Sequence, residues 1–132
     1  MQRRDFLAQS SGSDITIEAI EHLLRVLGAS PVYAGFTPAV TALQYILADQ
    51  RLLMSLTTRL YPKVAESCGT TAASVERNIR TVIAIIWEKN PFLFQIVAGY
   101  SMNVRPSVGD FLAIISTYLL YHPFEEWPEY LR

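Results

Sequence analysis

The chain has 132 residues, 51% of them hydrophobic and 17% charged, and a net charge of −1. That is enough length and apolar content for one domain with its own core, and too much apolar content for wholesale disorder. Cys68 is the only cysteine, which excludes an intrachain disulfide and cysteine-rich zinc or iron–sulfur chemistry, and fits a reducing compartment.

Residues 1–13 read as a flexible leader ending in Ser10-Ser11-Gly12-Ser13. Arg3 and Arg4 are followed by only Phe6, Leu7 and Ala8, without the apolar run of a signal peptide. Asp14 is then the expected N-cap of a first helix in which Ile17, Ile20, Leu24 and Leu27 recur at helical spacing until Gly28. Pro31 and Gly35 break the pattern, and Thr37-Pro38 starts a second helix that runs to about Asp49. A short helix over 50–58 follows, then Tyr61-Pro62 punctuates the chain before another short helix to Cys68, with Gly69 as its left-handed exit. Thr70 or Thr71 caps the longest helix, whose Val75, Ile79, Val82, Ile83 and Ile86 keep the 3.6-residue period until Asn90-Pro91. Residues 92–97 add a short helix, Gly99 to Arg105 form a loop, and Pro106 to Tyr121 make the last helix. Its apolar run, Phe111 to Tyr121, falls well short of the roughly 20 residues of a membrane span. The expected organisation is a leader (1–13), a helical domain (14–122) and an acidic, aromatic tail (123–132). The fold class is all-α, a compact bundle of about six helices, in the cytoplasm and away from membranes.

Charge is unevenly spread. Residues 50–105 hold seven basic side chains against three acidic ones, a local +4, and the rest of the chain carries −5. Within the basic stretch, Pro62 to Cys68 and Thr71 to Lys89 are consecutive helices joined by a tight turn, the pattern of a helix-turn-helix centred on 62–83. With Val75, Ile79, Val82 and Ile86 turned inward, Ser74, Arg77, Asn78 and Thr81 fall on the other side of the second helix. Arginine pairs with guanine, asparagine with adenine and glutamate with cytosine. Arg77, Asn78, Glu76 and Ser74 are therefore the expected base contacts, and Arg59, Lys63, Arg80, Lys89 and Arg105 the backbone contacts. Glu76 and Arg80, four apart, also have the spacing of a helical surface pair.

Leu60-Tyr61-Pro62-Lys63-Val64-Ala65, Thr70-Thr71-Ala72, Val75-Glu76-Arg77, Ile79-Arg80 and Trp87 resemble the C-terminal effector domain of stage zero sporulation protein A. The similarity extends through Gly99-Tyr100, Arg105-Pro106 and Asp110-Phe111, and back through Gly35-Phe36 to Ile15, covering roughly residues 15–120. The resemblance implies a six-helix, promoter-binding response-regulator effector domain, often in tandem copies, with Glu76, Arg77 and Arg80 in contact roles and Arg105 near phosphate. Ser74 departs from the arginine usual there, and Asn78 replaces a small apolar residue. The roughly 14 residues ahead of the match cannot encode that family's receiver domain.

No phosphate-binding glycine loop, nucleophile elbow or metal-spaced cluster is present, so no catalytic residue, metal or cofactor is expected. Cys68, His22, His122 and Trp87 read as packing residues, as do Tyr33, Phe36, Tyr45 and Tyr61. The leading expectation is a sequence-specific regulator whose partner is double-stranded DNA, bound as a homodimer or in tandem. The alternative is a protein-interaction or dimerisation module that kept the fold and lost DNA binding.

Overall fold

The computed structural model describes residues 15–132, which form six α-helices and, among those described residues, no β-strand. α1 (Ile17–Leu27) starts behind Thr16, whose Oγ1 accepts the Ala19 N–H at 3.1 Å. The cap is therefore Thr16, the residue next to the first helical position with an extended backbone; Asp14 lies outside the described residues. α2 (Phe36–Ala48) begins one residue ahead of Thr37, with Gly35 as its N-cap. Pro38 occupies its first turn, where a missing N–H costs nothing. α2 is apolar nearly all round because it packs against α1, the helix-turn-helix, and the last helix of the chain.

The stretch expected as one helix over 50–58 is instead two short pieces, a 3-10 turn at Gln50–Met54 and a π turn at Leu56–Leu60. Asp49 holds the first: its carboxylate accepts from the Arg51 amide at 3.1 Å and from Arg51 Nε at 2.9 Å. This guanidinium also keeps the Asp49 carboxyl below the usual carboxylate range. Leu52 and Leu60 are the buried side chains of the two pieces, and the break between them falls at Ser55, whose backbone leaves the helical region at φ −142°, ψ 53°. The π turn passes straight into α3 (Tyr61–Cys68), so Tyr61-Pro62 opens a helix without breaking the chain direction.

α4 (Ala72–Lys89) is the longest helix, and the chain bends by 107° at Asn90 into α5 (Pro91–Ala98). Asn90 Nδ2 donates to the Leu27 carbonyl at 2.9 Å, tying this bend to the end of α1. α6 (Val108–Tyr121) is capped by Ser107, whose Oγ accepts the Asp110 N–H at 3.1 Å. Phe94 of α5 and Phe111 of α6 stack with centroids 5.7 Å apart at full burial. No single helix among the described residues is long and apolar enough to cross a membrane.

After His122 the chain folds back in two 3-10 turns, Phe124–Glu126 and Glu129–Leu131. Trp127 and Leu131 are buried, and Trp127 Nε1 donates to the His122 carbonyl at 2.7 Å. His22 of α1 meets this segment from the other side, its Nε2 donating to the Leu131 carbonyl at 3.1 Å and its ring standing edge-on to Phe124. Arg132 closes the wrap by donating to the carbonyls of Trp127 and Glu125.

Candidate nucleic-acid interface

The turn between α3 and α4 is set by backbone chemistry. Gly69 sits at φ 67°, ψ 39°, the left-handed region that glycine enters without Cβ strain, and its N–H reaches back to the Ala65 carbonyl. Thr71 follows in an extended conformation, and its Oγ1 accepts the Ser74 N–H at 3.1 Å, fixing where α4 begins. α3 and α4 pack on each other through Val64, Ala65, Val75 and Ile79, all buried.

Because α4 spends Val75, Ile79, Val82, Ile83 and Ile86 on the core, its opposite side is left polar. Arg77 and Thr81 stand exposed on that outward side, and Ser74, half-buried, sits at its edge one turn before Arg77. Arg77 Nη2 donates to Ser74 Oγ at 3.1 Å, and Thr71 Oγ1 donates to the same oxygen at 3.1 Å. Ser74 Oγ thus accepts two hydrogen bonds, which leaves its own hydrogen to donate outward. The arginine is held along the first two turns of α4, at its electropositive end.

Glu76 and Arg80 lie on the flank nearer α3. Arg80 Nη2 donates to Glu76 Oε2 at 2.6 Å, so the pair anticipated from their spacing forms. Below it is Tyr61: burial pushes its phenol above the usual range, with the Glu76 charge adding to the effect and Arg80 opposing it. On the other flank, Asn78 is half-buried beside the loop that precedes α2, not on the outward ridge with Arg77.

The remaining cations are spread more widely. Arg59 is exposed on the π turn, and Lys63 is exposed on α3 with its ammonium 5.2 Å from the centre of the Tyr45 ring. Tyr45 in turn shares a 2.5 Å hydrogen bond with Ser67 of α3. Arg105 is exposed in the loop between α5 and α6. Lys89 lies about 18 Å along α4 from Arg77 and a third of a turn round it. Its Nζ is 3.4 Å from Tyr33 Oη and 5.8 Å from the ring centre. Ser74, Arg77, Glu76 and Arg80 are therefore brought together on the first half of α4, while Lys89 is turned away to the loop at its far end.

Among the aromatic and sulfur groups, Phe36 and Tyr61 are buried, whereas Tyr33, Tyr45, Trp87 and Cys68 are half-buried at the margin of the core. Among the described residues no group of histidine, cysteine or carboxylate side chains is arranged to hold a metal ion. The hydrogen bonding of Ser74 to Arg77 was not anticipated, although their separation of three residues is the spacing at which helical side chains meet. Residues 20–119 match the family described as "Sporulation initiation factor Spo0A C terminal", and the chain belongs to that family.

Proposed function

We propose that this chain is a sequence-specific, DNA-binding transcription regulator whose α4 enters the major groove. The carrying observation is the outward face of the first half of α4, where Arg77 stands exposed and hydrogen-bonded to Ser74 while Val75 and Ile79 are spent on the core. Family membership supports the same reading. A guanidinium presented at the N-terminal end of a groove-sized helix is suited to the O6 and N7 acceptors of guanine. Ser74 and Glu76 complete the base-contacting set, with Asn78 reaching it only from its flank; Arg59, Lys63, Arg80 and Arg105 are assigned to the phosphates, and Lys89, turned to the far end of α4, only to a phosphate beyond them. The reading calls for no cofactor or catalysis, places the protein in the cytoplasm, and takes residues 14–122 as the binding domain between a leader and a tail. Two copies binding one duplex side by side belong to it as well: Phe92 and Ile96 of α5 and Tyr100 just after it are exposed and uncharged, and offer no repulsion to a second copy.

A second reading, a protein-interaction module that has lost DNA binding, draws support from Ser74 in place of a cation and from the Glu76 carboxylate that occupies Arg80. Selection from a random duplex library separates the two, followed by titration of the enriched and a scrambled duplex at two salt concentrations. Enrichment with a preference of roughly a hundredfold or more, lost in Arg77→Ala, supports the regulator. Weak, salt-sensitive binding without enrichment supports the interaction module.

A further inference from the structure

Gly35 is buried at φ −88°, ψ −4°, a backbone that any residue adopts. Conformation therefore does not call for glycine here; α4 does. A Cβ on Gly35 would lie 2.1 Å from the Asn78 carbonyl oxygen, 2.6 Å from the carbonyl carbon and 2.8 Å from Val82 Cγ2. Two of these three atoms are main chain of α4 and have no rotamer to retreat into. Restoring van der Waals contact requires the two segments to part by about 1 Å at least.

How α4 would respond follows from its other anchor. At its far end, Asn90 is hydrogen-bonded to the last turn of α1, and Gly28 packs against Lys89 and Asn90. A helix pushed at Asn78 and held at Asn90 tilts, and α3, packed on its first half through Val75 and Ile79, moves with it. The lever from Asn90 to Asn78 is about 18 Å, so 1 Å at Asn78 grows to about 1.3 Å at Ser74. The displacement is thus largest at the end that carries Ser74 and Arg77, and hydrogen-bonding constellations are sensitive to shifts of about 0.5 Å.

We propose that Gly35 is a positioning residue for DNA recognition: by letting the start of α2 rest directly on the α4 main chain at Asn78, it sets the angle at which Ser74 and Arg77 meet the duplex, without touching it. The inference rests on the DNA-binding reading above.

The test uses the full chain and four variants: Gly35→Ala; Gly35→Ala with Val82→Ala, which removes the one side-chain contact and leaves the main-chain clash; Val82→Ala alone; and Leu131→Ala as a destabilised control in the tail. Melting temperatures and amide NMR spectra are recorded first, then affinities for the selected and scrambled duplexes. The expected result is a folded Gly35→Ala protein whose amide shifts concentrate between Ser74 and Val82 and whose discrimination falls about tenfold or more. Leu131→Ala, for a comparable loss of melting temperature, keeps its discrimination. Should the single variant not fold, the double variant read against Val82→Ala carries the same comparison. Wild-type discrimination in a folded Gly35→Ala protein, an equal loss in Leu131→Ala, or unfolding of both Gly35 variants even in the cold overturns the proposal and leaves the DNA-binding reading standing. Failure of the wild-type chain to enrich any duplex overturns that reading instead, and the inference with it.

Discussion

The first half of α4 and the C-terminal tail mix charged and apolar residues in similar proportion, yet they use them in opposite ways. That half of α4 turns its large aliphatics, Val75 and Ile79, inward at helical spacing and leaves Arg77 and Arg80 outside. The tail has no such period; Trp127 and Leu131 go into the core, while Glu125, Glu126 and Glu129 are exposed around them. Periodicity is what separates a presented face from a packed strap. A regular helix keeps its polar side continuous, so several side chains can address one ligand. The tail fixes Phe124 and Trp127 singly, by His22 and by the His122 carbonyl, and leaves Tyr130 exposed. Aromatic and acidic composition alone invites a docking role, but here Phe124 and Trp127 serve the chain's own α1 and α6.

The comparison makes the two regions separable by mutation. Trp127→Ala should have the largest effect on stability, about 3–5 kcal/mol, because it removes a fully buried indole and empties the space between His22 and Tyr118. Urea unfolding measures it, and duplex discrimination by the folded fraction should stay at the wild-type value. A changed sequence preference would break the division just drawn, by showing that the tail steers α4. Arg77→Ala should do the reverse. Exposed on the outward face, it should leave the unfolding midpoint nearly unmoved while costing about 1–3 kcal/mol of discrimination at one base pair, read from titrations against single-substituted duplexes.

Thr71→Ala lies between the two. It removes the cap that accepts the Ser74 N–H and should cost about 1 kcal/mol of stability. It also removes the hydroxyl that donates to Ser74 Oγ, so the Arg77 guanidinium loses part of its fixing. A small, measurable fall in discrimination should accompany the loss of stability. Thr71→Ser retains both hydrogen bonds and should restore both quantities. If Thr71→Ser restores stability alone, the Thr71–Ser74–Arg77 chain has no bearing on recognition.

Features with a local cause were legible in advance. α4 announced itself through a capping threonine, a left-handed glycine before it and a strict apolar period, and the family resemblance followed from the same residues. The start of α1 lies at Thr16 because that residue, extended and next to the first helical position, accepts the Ala19 N–H, and its residue type alone does not single it out from other small polar residues nearby. The stretch 50–60 broke into a 3-10 and a π piece at Ser55, and its leucine spacing, which a regular helix satisfies equally well, gave no sign of the break. Gly35 is the clearest case of what a sequence hides. Its neighbour is the Asn78 carbonyl, 43 residues away, and nothing local marks a steric need that arises in the tertiary structure. Within the interface, residue types, helical face and the Glu76–Arg80 pair were readable, whereas the hydrogen bond that holds Arg77 was not. Both arginines are engaged, Arg77 by the neutral Ser74 hydroxyl and Arg80 by the Glu76 carboxylate, so only Arg80 is charge-paired.

The smallest expected effect concerns that last distinction. Glu76 and Arg80 are substantially exposed, at 41% and 55% of their side-chain surface, so their 2.6 Å pair contributes only a few tenths of a kcal/mol to stability. Glu76→Gln should therefore leave the unfolding midpoint almost unchanged. On DNA it has a sharper reading. Removing the carboxylate releases the Arg80 charge, and if Arg80 contacts a phosphate the slope of log affinity against log salt should steepen by about one. An unchanged slope would take Arg80 out of the phosphate contacts and leave that role to Arg59, Lys63 and Arg105. Base preference provides a second, independent signal from the same variant: a carboxylate that accepts from cytosine loses that preference when it becomes an amide, whereas one that only holds Arg80 changes the salt slope and nothing else.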